Sequence, residues 1–361
     1  MSNPLIKGLQ QLAEKLMPGD TPRRKAERTN ELLKTAVQAM KQEDYDSAKL
    51  FYEAALEICR ESGNQRGLAL ILHDLGTIAT YQNDPARARS YREQSLAAAR
   101  NLGDPTVLAV ALLGLASGAH IRGDYDLARR LCEESLALRR SLSRKELVAA
   151  ALLQMGSVML NQGEREAARA HYEEALALAR EAGKKEIEAV ALNDLGYMTL
   201  PGEDCTQARE YLQQSLTLNR ESGRKRGAAY ALNNLGDLAR FEGDYAGACA
   251  LYRESLTLKK ELSDRWGSAY SLEGCAAVAV GQGQPERAAQ LYGAAAAIRE
   301  SLGTPLEASK RGDYEANLTR TREALGETAF QQAWEEGRAL PPEQAIDFAL
   351  SWREPMRLPG T

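Results

Sequence analysis

Residues 226–265 read RGAAYALNNLGDLARFEGDYAGACALYRESLTLKKELSDR, and this stretch decides the fold. Ala229, Leu232, Gly236 and Ala239 recur every three or four residues, which places them on one stripe of a helix. Gly243-Asp244-Tyr245 then breaks the pattern, glycine ending one helix and aspartate suiting the cap of the next. Ala248, Tyr252, Ser255 and Leu256 form a second apolar stripe. The spacing predicts two helices of about 16 residues, each about 24 Å long. Small residues on their facing sides allow a close approach.

The same pattern returns every 40 residues without insertion or deletion. Units begin at Ala26, Arg66, Thr106, Glu146, Glu186, Arg226 and Trp266, and the last ends at Pro305. The seventh position is leucine in all seven units, from Leu32 to Leu272, and the eleventh is alanine or glycine. The twenty-third is always alanine, from Ala48 to Ala288, and the thirtieth is alanine or serine. A second breaker follows near the end of most units, at Gly63, Gly103, Gly183, Gly223 and Gly303. One helix pair cannot bury both of its stripes, so neighbouring units must stack.

The succession Leu235-Gly236, Ala248, Tyr252, Ser255-Leu256 resembles the tetratricopeptide repeat. That family usually has a period of 34, and a period near 40 also fits HEAT or armadillo units. The small-residue columns favour a long-helix tetratricopeptide type. The resemblance covers Ala26 to Pro305. It implies an all-α, right-handed α-solenoid of about seven helix-turn-helix repeats with capping helices at both ends. It also implies a concave groove that binds a partner, although the fold hosts many functions.

Bulk properties narrow the function classes. The chain has 361 residues, is 44% apolar and 27% charged, and carries a net charge of −4. There is no basic field to hold nucleic acid. The longest uncharged run, Pro105 to Ile121, is short for a membrane span and falls in register with the repeats. Lys7, Glu14 and Lys15 interrupt any secretory leader. Five dispersed cysteines, with no Cys-x-x-Cys, fit reduced thiols in a cytoplasmic protein better than a disulfide frame or zinc site. No metal or cofactor is expected.

Outside the repeats, residues 1–25 are expected to hold an amphipathic helix, Leu5 to Leu16, and a linker including Arg23-Arg24-Lys25. The helix caps the first repeat or docks a partner. Residues 306–361 are expected to form a C-terminal helical cap from Glu307–Leu325, Glu327–Gly337 and Pro342–Ser351, filled by Phe330, Trp334, Phe348 and Trp352. Two stretches, Ala288-Ala289-Gln290-Leu291-Tyr292-Gly293-Ala294-Ala295 and Arg299-Glu300-Ser301-Leu302-Gly303, resemble the repeat tails of bacterial LuxR-type and STAND-class regulators. So do Ala324-Leu325-Gly326, Trp334 and Gly337-Arg338-Ala339-Leu340. Those regulators carry an ATPase and effector parts, yet this chain has no Gly-x-x-x-x-Gly-Lys-Ser/Thr loop. The resemblance therefore implies a sensing half alone. In the fifth unit Leu200-Pro201-Gly202-Glu203-Asp204 ends the first helix early, by surface variation or to widen a groove.

Positions 5, 8, 12 and 15 of each first helix form a stripe rotated by about 100° from the core stripe, toward the groove. In units five to seven it carries Asn193, Tyr197, Tyr230, Asn233, Asp237, Arg240, Tyr270 and Glu273, with Asp194 and Asn234 pointing further round. Asparagine both donates and accepts, so Asn193 and Asn233 could clamp an extended backbone, and tyrosines add contact area with a polar tip. Asn193, Tyr197, Tyr230, Asn233, Asp237, Arg240 and Tyr270 are the expected peptide- or ligand-binding residues. The other reading is a merely solvated stripe. Units three and four offer apolar residues there, Val110, Leu113, Leu153 and Leu160, and unit two has His73, Thr77 and Thr80. His73, His120 and His171 lie on different units, and no His-Glu-x-x-His or Gly-x-Ser-x-Gly occurs, so catalysis is not expected. Two readings remain. One is an interaction scaffold holding a peptide or helix of a partner protein. The other is a sensory module for a small-molecule effector or signalling peptide.

Overall fold

A computed structural model describes residues 21–142, 144–200 and 205–351. Among these residues there are seventeen α-helices and no strand, so the fold class is all-α, an α-solenoid of paired helices. Each 40-residue unit yields two helices. They are α1 (Pro22–Lys41) and α2 (Tyr45–Ser62), α3 (Gln65–Tyr81) and α4 (Pro85–Leu102), α5 (Pro105–Ile121) and α6 (Tyr125–Ser141), and α7 (Lys145–Asn161) and α8 (Arg165–Glu181). They continue as α9 (Lys185–Met198) and α10 (Cys205–Glu221), α11 (Lys225–Phe241) and α12 (Tyr245–Glu261), and α13 (Arg265–Gly281) and α14 (Pro285–Leu302). Three more follow, α15 (Ala308–Leu325), α16 (Glu327–Arg338) and α17 (Pro342–Leu350).

The first helix starts earlier than the sequence suggested. Pro22 occupies its first turn and the Thr21 hydroxyl accepts from the Arg24 N–H, so Arg23, Arg24 and Lys25 are helical. Proline suits that position because its missing donor would have no helical acceptor there. The expected helix Leu5–Leu16, the segment Pro201–Asp204 and Trp352 lie outside the described residues.

Both turns of the unit are closed by Asx caps. Asp44, Asp84, Asp124 and Asp244 accept from the N–H three residues on, starting second helices, and Asn64 and Asp264 do the same for first helices. The residue ahead of the second helix needs a left-handed backbone, and Gly123, Gly163, Gly243 and Gly283 supply it. Glu43 stands in the same column with φ 57° and so carries the strain that glycine avoids. Glu43→Gly is therefore expected to raise stability by about 1 kcal/mol. A chemical-denaturation midpoint equal to or below that of the parent would count against this.

Two compact units, Met1–Val158 and Met159–Thr361, divide the chain. In the first, Phe51, Tyr52, Ile58, Ile71, Leu72 and Ile78 pack into one core. In the second, Tyr252, Leu272, Tyr292 and Ile298 lie at the centre of a larger one. The position-seven leucines Leu72, Leu112, Leu152, Leu192, Leu232 and Leu272 are at most 2% exposed. Each such burial contributes about 1.5–3 kcal/mol. The serine variants of position thirty do more than fill space. Ser95, Ser135, Ser215 and Ser255 donate at 2.7 Å to the carbonyls of Ala69, Ala109, Ala189 and Ala229, tying the second helix of a unit to the first. At position eleven, a Cβ on Gly236 would come within 2.8 Å of the Tyr252 ring, which explains the small residue.

The C-terminal helices fall close to their expected limits. Phe330 is buried with Ala289 and Ala333 and stacks on Trp334 at 5.7 Å. Helices α14 and α16 meet backbone to backbone through Gly293 and Gly337. Among the described residues, no helix is long and apolar enough to cross a membrane.

Candidate functional site

The site begins with a column that the period exposes but does not explain. Position thirty-four of units five to seven holds Asn219, Lys259 and Arg299, all buried near the ends of second helices. Lys259 is fully buried. Its ammonium donates to Ser271 Oγ at 2.7 Å and to Asn233 Oδ1 at 3.3 Å, and lies 5.1 Å from the Tyr230 ring centroid. Ser271 in turn donates to Asn233 Oδ1 at 2.7 Å. Burial pushes the Lys259 pKa down to about 7, against the opposing pull of Asp264. One unit further on, Arg299 grips Glu273 through two bonds of 2.6 and 2.9 Å and lies 4.4 Å from the Tyr270 ring centroid. In units six and seven position thirty-four thus anchors the position-eight side chain of its own unit, whereas Asn219 donates to Ser215 on its own helix.

This changes the standing of the asparagines. Packing does demand a polar residue at Asn233, which is 3% exposed and commits its oxygen to Lys259 and Ser271. Asn193 accepts from Asn234 at 3.0 Å and donates to Asp194 at 3.4 Å. Burial raises the Asp194 pKa to about 7, and Glu307 adds to the rise while the Asn193 bond opposes it. Tyr230 packs against Trp266 with centroids 6.1 Å apart.

The rest of the stripe converges on one cavity of about 390 Å³. Tyr197, Asn233, Asp237, Arg240 and Tyr270 line it, as do Glu273 and the apolar Leu160 and Leu200. Asn193 and Tyr230 are not among its lining residues. Part of the stripe, Tyr197, Asn233, Asp237, Arg240, Tyr270 and Glu273, thus shares one space within Met159–Thr361.

The opposite wall is the chain's own helix α15, contributing Ser309, Lys310, Asp313 and Tyr314. The Lys310 ammonium lies 4.1 Å from the Tyr270 ring centroid and 5.1 Å from that of Tyr197. Tyr270 donates to Glu307 Oε1 at 2.9 Å. Arg240 reaches both carboxylate oxygens of Asp313, at 2.9 and 3.3 Å. Ser309 donates to Asn161 Oδ1 at 3.3 Å through its hydroxyl and its N–H alike. Asp237 accepts from the buried Tyr252 hydroxyl at 2.6 Å. The wall is thus lined by carboxylates, cations and aromatic rings, suited to gripping a polar backbone and charged side chains.

Sequence reasoning missed Lys310, Glu307, Asp313 and Tyr314, because they fall after the repeat phase is lost. A weak signal existed, since 306–314 has several charged residues and no continuous apolar stripe.

The histidine–aspartate neighbours of the first compact unit do not form a relay. Asp74 is bonded by the Tyr52 hydroxyl, and burial raises its pKa to about 6. His73 lies instead beside Gly114, its pKa lowered to about 4 by burial and by Arg92 and Arg139. Among the described residues no group of three His, Cys, Asp or Glu side chains is arranged to hold a metal ion.

Comparison with known structures shows the fold. The chain is similar to a Rap protein solved in complex with Competence and Sporulation Factor, at 13% identity and TM-score 0.61, covering 91% of this chain and 100% of that one. It is also similar to the apo form of RapI, at 15% identity and TM-score 0.57, covering 76% and 98%. A STAND protein with a tetratricopeptide repeat sensor from Pyrococcus horikoshii matches at 16% identity and TM-score 0.50, over 89% of this chain and 55% of that one. No curated protein matches the chain. The family model for the tetratricopeptide repeat matches residues 30–101, 107–181, 147–221, 186–261 and 227–301. The chain belongs to the tetratricopeptide repeat family.

Proposed function

We propose that the protein is a non-catalytic binding module that takes a peptide or helical segment of a partner protein on the first-helix stripe of units five to seven. Tyr197, Asp237, Arg240 and Tyr270 are its contact residues. The observation that carries this reading is that the stripe already receives a helix through polar contacts, namely Arg240 with Asp313 and Tyr270 with Glu307. A surface that accepts one helix in this manner is chemically equipped to accept another. Asn233 lines the same cavity with its oxygen held by Lys259 and Ser271, whereas Asn193 and Tyr230 lie outside the lining. A second reading, a regulatory sensor, is favoured by the cavity of about 390 Å³, large enough for a small effector or one anchoring side chain. The Rap protein of similar fold was solved with Competence and Sporulation Factor, which gives the sensor reading a parallel.

The test compares the parent with Tyr197→Ala/Arg240→Ala. Proteins captured by the parent from a lysate of the source cell are identified, and the contacting segment is remade as a synthetic peptide. Calorimetry is expected to show at least about tenfold weaker binding to the double variant, the scale of a lost hot spot. Equal affinity would remove the stripe from the binding site. Native mass spectrometry of the same samples addresses the sensor reading. A small molecule retained by the parent and absent from the variant would support it.

A further inference from the structure

Helix α15 is an unusual occupant of its site. Its buried side chains, Asn317 and Thr321, are polar, and its apolar Tyr314 and Leu318 are only partly buried against the core. Its first turns are held by Glu307 on Tyr270, Asp313 on Arg240 and Ser309 on Asn161, contacts that water or another ligand can replace, and by the Tyr314 ring edge-on to Tyr292 at 5.0 Å. Helix α16, by contrast, is locked to α14 by direct backbone approach at Gly293 and Gly337. The residues ahead of α15, 304–307, are not helical, and Gly326 behind it has φ 74°. The contacts of the first turns are thus separate from the α14–α16 crossing, with non-helical residues 304–307 ahead of them.

The Lys310 ammonium shows what the site prefers. It sits between the faces of Tyr197 and Tyr270, whose quadrupoles attract a cation. Burial alone would lower its pKa, yet Tyr197, Glu307, Asp237 and Glu273 hold it above the usual lysine value. Arg299 already meets the charge of Glu273, whereas Asp237 is bonded by a neutral hydroxyl. A site emptied of Lys310 keeps two ring faces and the Asp237 charge, with Arg240 on the same wall.

We propose that Ala308–Tyr314 is an internal occupant of the stripe, displaced by a partner segment whose lysine or arginine side chain takes the place of the Lys310 ammonium between Tyr197 and Tyr270. This rests on the stripe being the partner's binding surface. The partner is accordingly a cationic peptide segment, and the free protein is in a self-occupied state.

The probe is a synthetic peptide of residues 304–319, TPLEASKRGDYEANLT, and its counterpart with Lys310→Ala, each labelled for fluorescence anisotropy. They are titrated with the full chain as parent, Lys310→Ala and Lys310→Arg, after thermal melts establish that all three are folded. The unmodified peptide is expected to bind the Lys310→Ala chain at least about tenfold more tightly than the parent or the Lys310→Arg chain. The alanine peptide should bind that chain at least about tenfold more weakly than the unmodified one. Equal affinity of the two peptides, or of parent and Lys310→Ala chains, would overturn the proposal. The two ideas fail separately. Peptide discrimination combined with partner capture indifferent to Tyr197 and Arg240 would sink the binding role of the stripe. Loss of the partner from the stripe variant, combined with no peptide discrimination, would sink the cationic exchange.

Discussion

Gly337→Ala is expected to undock helix α16 and to lower stability by about 3 kcal/mol or more, the upper range for overpacking. A Cβ at position 337 would lie 1.9 Å from the carbonyl oxygen of Gln290, inside any tolerable contact. The same crossing constrains Gly293, whose Cβ would lie 2.2 Å from the Trp334 carbonyl oxygen. In both cases the obstacle is main chain of an opposing helix, which has no rotamer by which to retreat. The helices would have to separate and expose Phe330, which is 1% accessible and packed beneath Trp334. Chemical denaturation should show the loss, and limited proteolysis should cut newly between residues 303 and 340. A variant that unfolds at the parental midpoint would mean that α16 does not pack as described.

The second large effect concerns Lys259. Asn233→Ala removes one of its two hydrogen-bond partners and leaves a buried ammonium resting on Ser271 alone. The expected cost is about 2–3 kcal/mol, the scale of a charged hydrogen bond broken without solvent to replace it. Lys259→Met removes the charge itself, and such replacements are often neutral or stabilising. The two substitutions should therefore move stability at pH 7 in different directions, although they act on the same contact.

The proton linkage gives an independent check. The folded-state pKa of Lys259 is lowered to about 7 from an ordinary 10.5, so between these values the unfolded chain binds more protons than the folded one. Stability then rises with pH through that window and falls as the pH is lowered toward 7. Between pH 7 and 9 the gain is about 2 kcal/mol for this group. Lys259→Met should lack that increment, which appears as a difference between the pH profiles of parent and variant. Parallel profiles would show that Lys259 stays protonated when folded.

The buried cation beside Asn233 was not legible in the sequence. Asn233 occupies a stripe position that faces the groove, and nothing adjacent in the chain hints at a buried cation. Lys259 is followed by Lys260 near the end of α12, a pair that reads as a solvated helix terminus. Only stacking reveals that one of the two enters the interior while Lys260 pairs with Asp347 at the surface. Hydrophobic pattern records which face is dry, whereas the partner of a buried polar atom comes from another unit or helix.

The sequence by itself determined the helix pairs, their period, the close-packed small columns and the stripe that turns toward the cavity. It could do so because each depends on spacings of three and four within a helix and on breakers at a fixed distance, all local quantities repeated seven times. The tertiary structure alone decided that α15 lies against that stripe, that Lys310 fills the space between Tyr197 and Tyr270, and that the Asn233 oxygen is held by Lys259 and Ser271. The partners involved are 26 to 113 positions apart in the chain, counting from Asn233 to Lys259 and from Tyr197 to Lys310. Helix α15 has no repeat to announce it, and although Tyr314 and Leu318 pack on the core, its first turns meet the stripe through polar atoms that no apolar periodicity marks.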